Sequence, residues 1–191
     1  MVTTRNSRAD VIAAAGRLFA ERGYHGTSMR DLGRELGMLG SSLYAHVDSK
    51  QDLLVEVVEQ GARLFQESAA SALAVEGTAR DRLRALIRGH VGVVLANQDV
   101  VRTFLNEARM LDDGHRSRVI AARDAYEQAF RDVLGSGIGE QSFREDVDPK
   151  IASILILSIL NALERWYRPD GDLDSDALAR SLVEFVESGL T

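Results

Sequence analysis

Nowhere in this chain do apolar and polar residues alternate with period two over the length of a strand. Apolar residues recur instead at i, i+3, i+4 and i+7 almost from end to end. That spacing predicts an all-α fold of about nine helices. Val11, Ile12, Ala15, Leu18 and Phe19 form the first stripe, closed by Gly23 where a left-handed cap is cheapest. Thr27 or Ser28 can cap a short second helix carrying Met29, Leu32 and Leu36 and ended by Gly37. A third short helix is expected to hold Leu43 and Val47, and Ser49 to cap a long fourth one reaching about Ala72. Further helices are expected over about 78–96, 100–111 and 115–134, with Gly135, Gly137 and Gly139 as a loop. Asp148 before Pro149 reads as an N-cap followed by proline at the first helical position, opening a helix over 151–167. Pro169, Asp170 and Gly171 make a turn before a last helix from about Ser175.

Composition removes several classes of function. The 191 residues include no Cys, so disulfide scaffolds, thiolate nucleophiles and cysteine-ligated metals are excluded. No apolar run reaches the roughly 18 residues of a membrane span, and the first nine residues are too polar for a signal peptide, so a cytoplasmic protein without membrane contact is expected. The four histidines form no HExxH pair, no nucleophile elbow is present, and the glycines at 135–139 follow a helix rather than a strand. Asp112, Asp113 and His115 read as a solvated turn, and neither a metal nor a cofactor is expected. The net charge of −6 hides an asymmetry: residues 1–50 carry +2 and the rest −8. A slightly basic head on an acidic body suits a protein whose head alone meets a polyanion.

Within that head, residues 29–43 have helix-turn-helix spacing. Leu32, Leu36, Met38 and Leu43 can pack two helices together, Gly33 lets their backbones approach, and Gly37 supplies the turn. Such a turn projects the second helix outward, where it fits a major groove roughly 12 Å wide.

The run Gly23-Tyr24-His25-Gly26-Thr27-Ser28-Met29-Arg30-Asp31-Leu32, then Gly37, then Ser42-Leu43-Tyr44-Ala45-His46-Val47-Asp48-Ser49-Lys50-Gln51-Asp52-Leu53-Leu54, resembles the N-terminal domain of TetR-family regulators. The resemblance implies a DNA-binding domain over 1–50, a helical ligand-binding and dimerisation domain over 51–191, a homodimer, and repression relieved by a ligand. Matched residue by residue, it implies DNA contacts from Thr27, Ser41, Ser42, Tyr44, His46 and Lys50, with Arg5 and Arg8 in a short arm. Plainer roles stay open: Thr27 and Ser49 as helix caps, Tyr44 as a packed ring, Arg5 as a solvated tail. Two positions depart from the family's pattern. Leu39 stands where Ser or Thr usually caps the recognition helix, and Gly40 where a basic residue is common. The helix is therefore expected to start at Gly40 or Ser41.

The later chain resembles TetR regulators of fatty-acid and sterol catabolism, several of which sense acyl-CoA thioesters. The matching pieces are Asn106-Glu107-Ala108-Arg109, Arg123-Asp124-Ala125-Tyr126, Phe143-Arg144-Glu145-Asp146-Val147-Asp148-Pro149 and Arg165-Trp166-Tyr167-Arg168-Pro169-Asp170-Gly171. This implies an amphipathic, anionic effector, an acyl-CoA among the candidates. Its apolar part is expected among Leu86, His90, Val94, Phe104 and Leu105, and its polar end near Arg109, Arg123, Arg165 or Trp166. The alternative is that these arginines pair with Glu107, Asp124 and Glu164 and the apolar residues fill the core. Ile151, Leu155, Ser158, Ala162, Leu178, Leu182 and Phe185 lie on two apolar stripes that a two-fold axis turns into a four-helix seam. Two other readings compete: a small-molecule-binding helical dimer that has lost operator recognition through Leu39 and Gly40, and an all-helical enzyme acting on acyl-CoA.

Overall fold

The computed structural model describes residues 7–191, and all regular structure among them is helical. The α-helices are α1 (Arg8–Arg22), α2 (Met29–Glu35), α3 (Gly40–Leu43), α4 (Lys50–Leu73), α5 (Ala79–Ala96), α6 (Gln98–Asn106), α7 (Asp113–Gly139), α8 (Pro149–Trp166) and α9 (Ser175–Leu190). A single 3₁₀ turn, Ala108–Met110, follows α6.

Helix starts follow local hydrogen bonding. Ser7, Ser28 and Thr78 each accept the backbone N–H of the aspartate three residues on, and that aspartate accepts in return from the cap's own N–H. The expected cap at Asp148 is present, with Pro149 in the first turn, and Asp174 caps α9. Ser49 accepts from the Asp52 N–H at 3.1 Å at the head of α4.

Two expectations are corrected. Residues 135–139 are not a loop, because α7 runs on through Gly139. Gly137 is buried against Phe143, whose ring occupies the space a Cβ would need, so the glycine serves a close approach within a helix. The helix ends at Gly139, and just beyond it Gln141 takes a φ of +57° and the Ser142 N–H bonds back to the Gly137 carbonyl at 2.8 Å. The third helix does not hold Val47. It is a single turn, beginning at Gly40 with no side-chain bond from Leu39, and Val47 is buried in the turn that follows.

Compactness divides the chain differently from its order. One unit comprises the described residues up to Ala62 together with Asp99–Ile120; the other comprises Arg63–Gln98 and Ala121–Thr191. In the first, α1 packs on α2 and α2 on α3, around Leu18, Phe19, Leu32, Leu43 and Leu53, each 2% exposed or less. Here α6 meets α4 closely: a Cβ on Gly61 would lie 2.7 Å from that of Phe104. In the second unit α5 packs on α8 and α9. Arg84 clamps Glu187 through two bonds of 2.7 and 2.9 Å, and Arg144 ties the chain end through its N–H to the Leu190 carbonyl.

Candidate nucleic-acid interface and effector site

Packing of Leu32 and Leu43 leaves the polar side of the helix-turn-helix in solvent. Ser42 is exposed, Tyr44 is 55% exposed, and Leu39 at the start of α3 is 77% exposed. Ser41 lies in α3, but its side chain falls outside the described residues, as does Arg5. His46 is half-buried and borders, with Tyr44, a polar cleft of about 310 Å³ that also contains Asp48, Asp52 and Glu56. Arg8 is not in an arm: it opens α1 and pairs with Glu56 at 2.7 Å.

Thr27 is corrected from a phosphate contact to an internal tie. It is 2% exposed, and its hydroxyl donates to the carbonyls of Leu18 at 3.1 Å and Gly23 at 3.0 Å. Its N–H bonds to the Tyr24 carbonyl, and Ser28 is the actual cap of α2. Lys50 sits where the sequence places it, in the first turn of α4, but two of its three donors are used internally. Nζ bonds the carbonyls of Tyr24 and Thr27, each at 2.9 Å, and lies 4.1 Å from the centre of the Tyr24 ring. Lys50 thus fixes the turn before α2 against the head of α4, with one N–H remaining. Sequence reasoning passes over Arg30, exposed on α2 with no ion pair among the described residues. A basic residue in the first turn of a short helix is the available signal.

A second network ties the same turn to the end of α6. The Tyr24 N–H donates to Glu107 at 3.1 Å, its hydroxyl donates to the Gln51 side chain at 2.8 Å, and Gln51 donates to the Met110 carbonyl at 3.2 Å. Glu107 therefore serves as the acceptor for the Tyr24 N–H. Burial raises the Tyr24 pKa, so its hydroxyl stays a donor.

The effector candidates fall into separate groups. Leu86, His90 and Val94 occupy one face of α5 at four-residue spacing, each 1% exposed or less. In the same unit Arg123 is half-buried on α7, where desolvation lowers its pKa while the group stays charged. Arg165 is exposed and Trp166 is 46% exposed at the end of α8. Phe104, buried, Leu105, half-buried, and Arg109, exposed, belong to the first unit. The ring cluster around His90 adds Phe65, whose ring centre is 4.8 Å away, and Tyr126, at 5.8 Å. Neither stands out in the sequence as a site residue, since a single aromatic at helical spacing looks like ordinary core. Asp112 caps the start of α7 by accepting the His115 N–H at 2.9 Å and facing Nδ1 at 2.6 Å.

On α8 and α9 the seam candidates divide by exposure. Ile151, Leu155 and Phe185 are 58–65% exposed and line an apolar groove of about 670 Å³. Ser158 is exposed, while Ala162, Leu178 and Leu182 are half-buried. Ile154 and Ile159 are exposed as well and extend the face. Sequence spacing misses them because α8 is apolar on every side, which blurs where its core stripe ends.

A short helix presented on a compact helical head defines a helix-turn-helix DNA-binding regulator. Residues 11–57 match the family of bacterial regulatory proteins named for tetR, and residues 76–190 match the tetracyclin repressor-like C-terminal domain. The chain belongs to the TetR family of transcriptional regulators. The HTH-type transcriptional repressor KstR2 of Mycobacterium tuberculosis is 30% identical over 189 residues, spanning 96% of this chain and 92% of that protein. Its structure superposes with a TM-score of 0.92 at 26% identity, covering 99% of this chain and 97% of that one. The TetR-family regulator PfmR of Thermus thermophilus gives 0.86 at 31% identity, covering 95% and 98%. AibR, solved in complex with isovaleryl coenzyme A and operator DNA, gives 0.83 at 26% identity, covering 93% and 96%. Among the described residues no helix is long and apolar enough to cross a membrane.

Proposed function

We propose that this regulator acts as a homodimeric repressor that releases operator DNA when an amphipathic acyl-CoA binds. The observation that carries the DNA half is the exposure of Ser42 and Tyr44 at α3, with Arg30 and the spare donor of Lys50 on neighbouring elements. Ser42 reaches base edges, the family resemblance adding Ser41, and Tyr44, His46, Lys50 and Arg30 hold the phosphate backbone. The dimer rests on the apolar face of α8 and α9, where Ile151, Leu155 and Phe185 are too large and too exposed to be left in water. To bind DNA such a dimer must hold its recognition helices about 34–36 Å apart. For the effector, Leu86, His90 and Val94 supply the apolar wall, and AibR's isovaleryl coenzyme A supports a coenzyme A ester. The family resemblance adds Phe104, Leu105 and Arg109 as further contacts, with Arg123, Arg165 or Trp166 taking the anionic end.

The test is fluorescence anisotropy on the DNA flanking the protein's own gene, with and without acyl-CoA esters. Binding that Tyr44→Ala and Lys50→Ala weaken, and that an ester releases, supports the reading; retained affinity in both variants contradicts it. A second reading draws on Leu39, which is exposed and makes no cap bond. There the chain keeps its effector site and has lost operator recognition, and wild-type protein gives no specific shift on that DNA.

A further inference from the structure

Among the described residues of the second unit, His90 is a deeply buried polar group whose hydrogen bonding is incomplete in a way that identifies its missing partner. The residue is 1% exposed. Its Nδ1 lies 3.2 Å from the Tyr126 hydroxyl, and its Nε2 is buried with no hydrogen-bond partner. Buried ring nitrogens are nearly always satisfied, so an orphan of this kind needs an explanation. A charged imidazolium does not supply it, since desolvation lowers the His90 pKa to about 3 and leaves the ring neutral at any ordinary pH.

A neutral ring carries one N–H, and the Tyr126 hydroxyl carries one proton, kept there by burial that raises its pKa. Two arrangements satisfy the Nδ1 contact. If Nδ1 holds the proton and donates to the tyrosine oxygen, both the hydroxyl proton and the Nε2 lone pair are stranded. If the tyrosine donates to Nδ1, the only unmet group is an Nε2–H donor. The second arrangement strands fewer groups and sets the tautomer.

The surroundings of that donor are apolar. Leu86 and Val94 flank His90 one turn away on either side along α5, and the rings of Phe65 and Tyr126 lie 4.8 and 5.8 Å from it. Phe130 continues the cluster, 5.5 Å from Tyr126. A site of this composition accepts an apolar body bearing one neutral acceptor. A carboxylate is disfavoured, because the ring has no charge to offset the cost of burying it. The Nε2 atom is buried, so a ligand reaches it by displacing neighbouring side chains.

We propose that the His90 Nε2–H donates to the acyl carbonyl of the effector, so that the chain recognises a thioester by its carbonyl oxygen and not by its hydrocarbon alone. Tyr126 is the positioning residue that holds the donor tautomer. This deepens the effector reading above and rests on it.

The test compares butanoyl-, octanoyl- and hexadecanoyl-CoA with S-alkyl-CoA thioethers of the same chain lengths, which lack only the carbonyl oxygen. Calorimetry on the full-length protein is expected to show the best ester binding roughly fivefold or more tighter than its thioether, the factor set by leaving a buried donor unmet. In His90→Phe the ratio falls to about one; that change also takes away the acceptor of the Tyr126 hydroxyl, so some loss of melting temperature is expected and the ratio is read on protein shown to be folded by circular dichroism. In His90→Gln, whose amide also donates, a preference for the ester survives. Equal binding of ester and thioether by the wild type overturns the role of His90 while leaving an acyl-CoA effector standing, as does an ester preference unchanged in His90→Phe. Failure of every ester and thioether to bind rejects the acyl effector itself and this inference with it.

Discussion

Two hydrogen bonds decide the role of Thr27. Its hydroxyl is spent on the carbonyls of Leu18 and Gly23, so it holds the end of α1 to the start of α2 and has nothing to offer a phosphate. Thr27→Val keeps the shape and loses both bonds. Urea denaturation should show a loss of about 1–3 kcal/mol, while operator affinity per folded molecule stays within twofold. Lys50 combines both kinds of role. Lys50→Ala removes the two bonds to the Tyr24 and Thr27 carbonyls and, on the proposed interface, one phosphate contact. Operator affinity should then fall, and the slope of log K against log salt should become shallower by roughly 0.9. An unchanged salt slope would leave Lys50 as a structural tie only.

At the scale of elements, three helices share one starting device and hence one pH response. Asp10 is held below its ordinary carboxyl value of 3.8 by backbone and side-chain bonds with Ser7, and Asp31 and Asp81 by side-chain and backbone bonds with Ser28 and Thr78. A carboxyl whose folded pKa is depressed stabilises fully above its unfolded value and loses that contribution as pH falls through the folded one. Far-UV circular dichroism between roughly pH 4 and pH 2 should show helix fraying that Ser28→Ala and Thr78→Ala shift to higher pH. Leu39 is the opposite case, a helix start with no cap. Leu39→Thr should stabilise α3 by about 1 kcal/mol, read as slower amide exchange at Leu43 and tighter operator binding.

These devices explain what the chain shows before folding. Capping boxes lie within four consecutive residues, so Ser28 and Thr78 declare their helices locally. The stripes of α1, α4 and α5 follow from periodicity in the same way. Gly137 defeats local reading, because what excludes a side chain there is Phe143, brought back against it only once α7 has ended. Val47 has the spacing of a third helix but lies in a turn, since α3 is one turn long. In the site, the motif places Ser42 at the start of the recognition helix, while Tyr44, open in sequence between a DNA contact and a packed ring, is resolved only by its 55% exposure. The internal commitment of Thr27 and the orphaned nitrogen of His90 depend on which atoms meet in space, and no spacing rule supplies that.

For the whole molecule, the apolar face on α8 and α9 and the exposed α3 belong to one account. On the proposed dimer, Leu155 and Phe185 are buried against a second copy and the assembly carries two recognition helices. Leu155→Glu combined with Phe185→Glu should give a folded monomer by sedimentation and abolish specific operator binding. Within the first unit, the Tyr24–Glu107 and Gln51–Met110 bonds join the helix-turn-helix to the segment after α6. Glu107→Ala should therefore change how strongly an effector alters operator affinity more than it changes either affinity alone. Coupling of this kind is reciprocal and typically about 1–3 kcal/mol.

The most direct measurement titrates the wild-type protein into the DNA flanking its own gene and reads stoichiometry and affinity together, with and without a saturating acyl-CoA that binds. The account predicts two chains per two-fold symmetric site and an affinity that drops by roughly fivefold or more with the ligand. One chain per site, or an operator affinity that the saturating ligand leaves untouched, would contradict it.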